Sequence, residues 1–170
     1  MEYSELIRCR YSCRSFSQAP VEPEKIDKII KAGILAPTAK NLQPFRIFRM
    51  DSPEAKENIR SATRCHFGAD NFLVIGAVHT ECYQRSYDGF PFADVDAAIA
   101  VTHMLLEIHN LGLGSTWVGY FDANKLKAAY PQMQDLDLVA ILPIGYPAEN
   151  AEPAPRHNIR REEAELVISL

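Results

Sequence analysis

What this 170-residue chain has little of narrows its function first. It has no basic excess. The formal net charge is −4, which gives no general affinity for nucleic acid or an anionic membrane, so any anion site must be local. It has no long apolar run either: the longest, residues 72–78, falls far below the ~18 residues a membrane span needs. The first residues carry Glu2 and Glu5 and no apolar stretch, which argues against a secretory signal and makes a cytoplasmic location the expectation. The four cysteines, Cys9, Cys13, Cys65 and Cys82, form no CxxC pair and complete no zinc set, so reduced thiols are the plain reading. HExxH, GxSxG, GxGxxG and the P-loop are all missing. His103 and Glu107 share a helical face but lack a third ligand nearby, and read as a core or interface pair rather than a metal site.

What is present is an ordinary globular composition, 47% apolar and 24% charged, enough for one domain over residues 1–170. Its centre is residues 94–111, apolar on far more than one helical face, as expected of a helix inside a protein or at a subunit interface. Asp94 is the candidate N-cap and Gly112 the left-handed stop. Asp96, His103, Glu107 and Asn110 form one narrow polar stripe.

Around it, residues 2–9 read as a short helix with Leu6 and Ile7 inward. Pro23 fits a helix start, and Ile26, Ile29, Ile30, Gly33 and Ile34 keep an amphipathic period that ends near Pro37. Residues 45–50 predict a strand, and Ser52-Pro53-Glu54 opens a helix to about Arg64. The Val- and Ile-rich run 72–79 predicts a buried central strand. Residues 80–93 show no period but four aromatics, as a lid would. Residues 115–121 predict a strand, Asp122 a helix cap, and residues 138–144 another buried strand. Strands and helices without strict alternation indicate an α+β sandwich.

Four groups of residues could carry chemistry. Arg10, Ser12 and Arg14 are spaced by two, so an extended segment points all three to one side. Two guanidiniums and a hydroxyl there suit a phosphate; they are equally explained as solvated charges after a helix end. Pro37, Thr38, Asn41 and Gln43 share one loop whose side chains suit hydroxyls and heterocyclic edges, although turns use the same residues. The glycines of residues 112–119 permit close approach of a flat ligand. Arg156, Arg160 and Arg161 form an isolated basic cluster, usually just a solvated surface.

Four blocks in order give these pieces a common meaning. Arg10-Tyr-Ser-Cys-Arg14 with Phe16 resembles R-R-S-x-R-x-F, and Ala36-Pro-Thr-Ala-Lys-Asn-Leu-Gln-Pro-Phe45 resembles A-P-S-x-x-N-x-Q-P-W. Leu111-Gly-Leu-Gly-Ser-Thr-Trp-Val-Gly119 resembles GLG-x-x-W-[IV]-G, and Leu142-Pro-Ile-Gly-Tyr-Pro147 with the basic tail resembles a closing strand. Together they resemble the nitroreductase-like family of FMN-dependent oxidoreductases over nearly the whole chain.

The resemblance implies an α/β/α sandwich with a mixed, largely antiparallel sheet flanked by helices, in an intertwined homodimer. It implies FMN as cofactor, NADH or NADPH as electron donor, and a nitroaromatic, quinone or similar small molecule as acceptor. Arg10, Tyr11 and Ser12 would hold the phosphate end, helped by Arg160 or Arg161. Arg14 would lie at the flavin N1 and O2 edge. Pro37, Thr38, Ala39, Asn41 and Gln43 would bind flavin across the subunit boundary. Trp117, Val118 and Gly119 would line the ring, with the Gly119 N–H facing N5. The same resemblance covers dehalogenation and flavin breakdown, and a non-catalytic flavin-binding or sensing module is the alternative outside enzymes.

Overall fold

The structure is a computed structural model that describes residues 1–170. Its sheet has four strands: β1 (Phe45–Arg49), β2 (Asn71–Ala77), β3 (Gly114–Ser115) and β4 (Asp137–Gly145). They lie in the order β1-β2-β4-β3, with every neighbouring pair antiparallel. β2 is central and buried on both faces, which is why it reads as an unbroken apolar run rather than an alternation. Its side chains divide by the two-residue period. Leu73 and Ile75 face a core with Leu142 and Ala140, their register partners on β4; Phe72 and Val74 face the opposite core with Ile141.

Helices cover each face. α2 (Pro23–Ile34) and α4 (Ala93–Asn110) close the first core, and α3 (Pro53–Ala62) and α5 (Ala123–Ala129) the second. Helix α1 (Tyr3–Cys9) and a last short helix α6 (Glu163–Leu166) lie toward the ends of the chain. The result is the α/β/α sandwich that the sequence implied. Fully buried Ile29 on α2 and Ile59 on α3 each stabilise it by about 1.5–3 kcal/mol. A glycine inside a helix costs about 1 kcal/mol. Gly33 offsets that cost by letting α2 lie against Met104 of α4, whose Cγ is 2.9 Å from where a β-carbon would stand.

Local signals placed most ends. Ser52 Oγ accepts the Ala55 N–H, Asp122 caps α5 by accepting the Lys125 N–H, and Pro23 begins α2. Gly112, at φ +74°, ends α4. Its N–H donates to the His109 carbonyl and that of Leu113 donates to the Ile108 carbonyl, the paired bonds of a Schellman motif.

Five expectations are corrected. Ile7 is exposed, leaving Leu6 alone to anchor α1, and Ile34 is exposed at the end of α2. Asp94 does not cap α4; Phe92 holds that position, and the Asp94 carboxylate turns to His79 instead. Asp96 leaves the polar stripe, because Asp96, Ala100, Met104 and Ile108 are all buried at four-residue spacing on one face. The strand expected over residues 115–121 stops at Ser115 and touches β4 again only at Val118, opposite Ile141. Continuing the register of β3 sets Thr116 against Pro143, which has no N–H to give the ladder.

Candidate functional site

Residues 12–17 extend the sheet beyond β3. Ser12 bridges Ser115 in parallel register, the Cys13 N–H donates to the Ser115 carbonyl at 2.9 Å, and the Ser17 N–H donates to the Tyr146 carbonyl at 2.8 Å. Strand alternation turns Cys13 inward, where it is 0% exposed, and displays its neighbours Ser12 and Arg14 on the other side. Gly114 makes this contact possible: a β-carbon there would stand 2.8 Å from both the Cβ and Sγ of Cys13.

The face so displayed borders three cavities that share residues. One of about 200 Å³ is lined by Ser12 and Arg14 with Arg156 and His157 from the tail. A second, about 270 Å³, lies between Arg10, Ser12 and Trp117 on one side and Thr102, Leu105 and Leu106 of α4 on the other. A third, about 150 Å³, joins Arg14 to Trp117 and Gly119. Ser12, Arg14 and Trp117 each belong to two of the three, so they form one interrupted trough. Its wall at residues 117–121 is held from two sides. Val118 exchanges both backbone hydrogen bonds with Ile141 at 3.0 Å, while the Thr63 hydroxyl donates to the Tyr120 carbonyl at 2.6 Å.

Sequence profiles and solved structures carry the same pattern. The profile described as "Nitroreductase family" matches residues 7–71 and 67–146. The chain belongs to the nitroreductase family. A nitroreductase family protein from Clostridium difficile 630 is 30% identical, with 99% of this chain and 98% of the other covered and a TM-score of 0.90. A Desulfovibrio desulfuricans protein of nitroreductase type, solved in complex with FMN, is 30% identical over 98% of this chain and 95% of its own, with a TM-score of 0.76. Among curated relatives, a Methanothermobacter thermautotrophicus protein whose name pairs NADH dehydrogenase with NAD(P)H nitroreductase is 28% identical, covering 88% of this chain and 80% of its own.

Within this nitroreductase-family chain, the first and third blocks meet at the trough: Arg10, Ser12, Arg14, Trp117 and Gly119 all line it. Tyr11 is packed edge-on against His109 and His157, with ring centroids 6.4 Å away in each case. Burial, with the Cys13 thiol beside it, pushes the Tyr11 phenol above its ordinary value. Burial, aided by the Arg10 charge, holds the His109 imidazole below its own.

The second block stands elsewhere. Pro37, Thr38, Ala39, Asn41 and Gln43 belong to a loop at the start of α4, where Asp96 Oδ1 accepts the Ala39 N–H at 3.0 Å. Asp96 and Leu105 are nine residues apart, so this loop and the arginine trough are separated by roughly 14 Å along the helix. The loop is strained. Lys40, Asn41 and Gln43 all have φ between 52° and 55°, a left-handed conformation that costs an L-residue about 1–2 kcal/mol. Besides Asp96, two internal side-chain bonds hold it, from the Gln43 N–H to Thr38 Oγ1 and from Gln43 Nε2 to the Asn41 carbonyl.

The tail arginines divide differently from expectation. Arg160 turns to the carbonyls of His157 and Ile159, and Arg161 faces Glu165 at 4.0 Å, so neither lines the trough; Arg156 does. Sequence reasoning passed over Asp96 and His157 as site residues. The four-residue spacing of Asp96 with Ala100, Met104 and Ile108 was the available signal for the first. His157 carried none, because only the path of the tail brings it to Tyr11.

Proposed function

We propose that this chain binds FMN and uses NADH or NADPH to reduce a nitroaromatic, quinone or similar small acceptor. The observation that carries the reading is the convergence of Arg10, Ser12, Arg14 and Arg156 beside an open backbone stretch, in a chain of net charge −4. Guanidiniums and a hydroxyl suit a phosphate, and they sit here as a local cationic group in an acidic protein. A β-carbon on Gly119 would meet nothing within 4 Å, which leaves space for a flat ring against that backbone.

FMN, when bound, supplies hydride transfer between the nicotinamide and the acceptor. The protein's part is positioning and charge. Arg10 and Ser12 hold the phosphate end, with Arg156 taking the role first given to Arg160 or Arg161. Arg14 would bring fixed positive charge to the edge of the bound ring and so favour its reduced, anionic form. The Gly119 N–H would donate to the bound ring, with Trp117 and Val118 forming the adjoining wall.

The loop carrying Thr38, Asn41 and Gln43 completes the site from a second copy. Helix α4 leaves Val95 exposed and Ala98, Ile99, Leu105 and Leu106 only partly covered. Two copies meeting antiparallel along α4 would cover that stripe and set the loop end of one helix beside the trough end of the other. No helix is long and apolar enough to cross a membrane.

The test is the visible spectrum of the purified protein, then anaerobic NADH and NADPH. The expected result is a yellow dimer that releases FMN on denaturation and bleaches with at least one donor. Yellow protein that neither donor bleaches would support the binding or sensing module, and protein unable to take up FMN would overturn the site.

A further inference from the structure

Away from the trough, one end of the sheet gathers three metal-ligating side chains from three different elements. His79 lies two residues past the end of β2, Asp94 lies in the first turn of α4, and Asp137 opens β4 opposite Ala77. His79 Nε2 lies 3.1 Å from Asp137 Oδ2 and 3.4 Å from Asp94 Oδ1, and all three ligand atoms fall within 4.8 Å of one another. We propose that this trio is a divalent cation site of the borderline first-row class, of which Zn²⁺ is the representative.

Two geometric facts separate it from an ordinary surface ion pair. The first is spacing. At a metal–ligand distance of about 2.1 Å, neighbouring donors stand about 3.0 Å apart in an octahedron and about 3.4 Å in a tetrahedron. The two imidazole–carboxylate distances fall within that interval.

The second is direction. His79 Nε2 is shielded from solvent yet makes no hydrogen bond, although both oxygens are near enough. A hydrogen-bond acceptor must lie close to the N–H axis. In a metal site the ion occupies that axis, and the adjoining ligands lie about 35–45° off it. Two oxygens within 3.4 Å of a nitrogen that bonds to neither fit the second arrangement better than the first. One imidazole nitrogen with two carboxylates also selects among ions, since Mg²⁺ and Ca²⁺ prefer all-oxygen shells while imidazole suits Zn²⁺ and its neighbours. Three protein ligands leave the remaining positions to water. The partial positive charge at the start of α4 opposes a cation there, and two carboxylates overcome it. Because His79 begins the residues 79–93 connection, the ion fastens the foot of that aromatic segment to both helix and sheet.

The experiment uses the full chain as purified, stripped with EDTA, then titrated with Zn²⁺ by calorimetry and with Co²⁺ by visible absorption. The expected result is one equivalent per chain, with Co²⁺ ligand-field bands and no thiolate charge-transfer band. His79→Gln and Asp137→Asn should each weaken binding at least tenfold while leaving the circular dichroism in EDTA unchanged. Asp94→Asn, at an exposed position, gives the same reading should either variant fail to fold. No uptake by the unaltered chain would overturn the site and leave a histidine side chain beside two carboxylates. Equal affinity in the variants, or a thiolate band tracing the ion to cysteine, would overturn it as well.

Discussion

Replacing Gly114 by alanine tests how the trough is built. The added methyl would stand 2.8 Å from Cys13 Cβ and Sγ and 3.3 Å from Pro147 Cγ, where carbon contacts are comfortable at about 3.5–4.0 Å. Something must therefore move by roughly 1 Å. Little can move freely, because Cys13 is fully buried and its N–H is bonded to the Ser115 carbonyl. Overpacking of this kind costs about 1–3 kcal/mol, and the rigidity of both partners places this case in the upper half of that range. For a chain of this size, that lowers the melting temperature by about 4–10 °C. Cys13→Gly removes both clashing atoms, so the double variant Cys13→Gly/Gly114→Ala should recover part of the loss. Thermal melts of the four proteins in the cycle measure a coupling of about 1 kcal/mol or more. Since Ser12 and Arg14 flank Cys13, Gly114→Ala should also weaken FMN uptake. An unchanged melting temperature, or strictly additive losses, would refute this account of how residues 12–17 are seated.

Three further outcomes follow from the same geometry. Gly119→Ala should keep stability within about 0.5 kcal/mol, because its β-carbon meets nothing in the chain, yet slow bleaching by NAD(P)H in stopped-flow by filling space over that backbone. Asp96→Ala should cost about 1–3 kcal/mol in thermal melts, since it orphans the Ala39 N–H. Asp96→Asn, which keeps an acceptor oxygen, should cost less and retain more FMN. His109 is held below its ordinary value, so the folded chain binds fewer protons than the unfolded one and folding loses stability as pH falls through about 6.5. Melts of His109→Gln from pH 5 to 8 should show a flatter dependence; an unchanged slope would assign the acid sensitivity to other groups.

Much of the architecture was legible because its causes are local. The caps Ser52 and Asp122, the Pro23 start and the Gly112 stop each act within a turn of the backbone they terminate. The all-round apolar α4 and the unbroken run of β2 announce burial through composition alone. The arginine–serine–arginine spacing likewise expresses strand alternation, and those residues do border one trough.

By itself, then, the sequence determined most of the helices and strands, most of the buried faces, and which residues stand on the exposed side of the 12–17 edge, since these depend on periods and caps within a few residues. Only the tertiary structure decided what long-range juxtaposition controls. Pro143 cuts β3 short from a partner strand. Asp96 abandons its stripe to hold a loop more than fifty residues earlier in the chain. Arg156 reaches Ser12 and Arg14 while Arg160 and Arg161 do not, because the tail's path sets which guanidinium arrives. His79, Asp94 and Asp137 meet at one sheet end for the same reason: three unremarkable residues become neighbours only when β2, α4 and β4 pack.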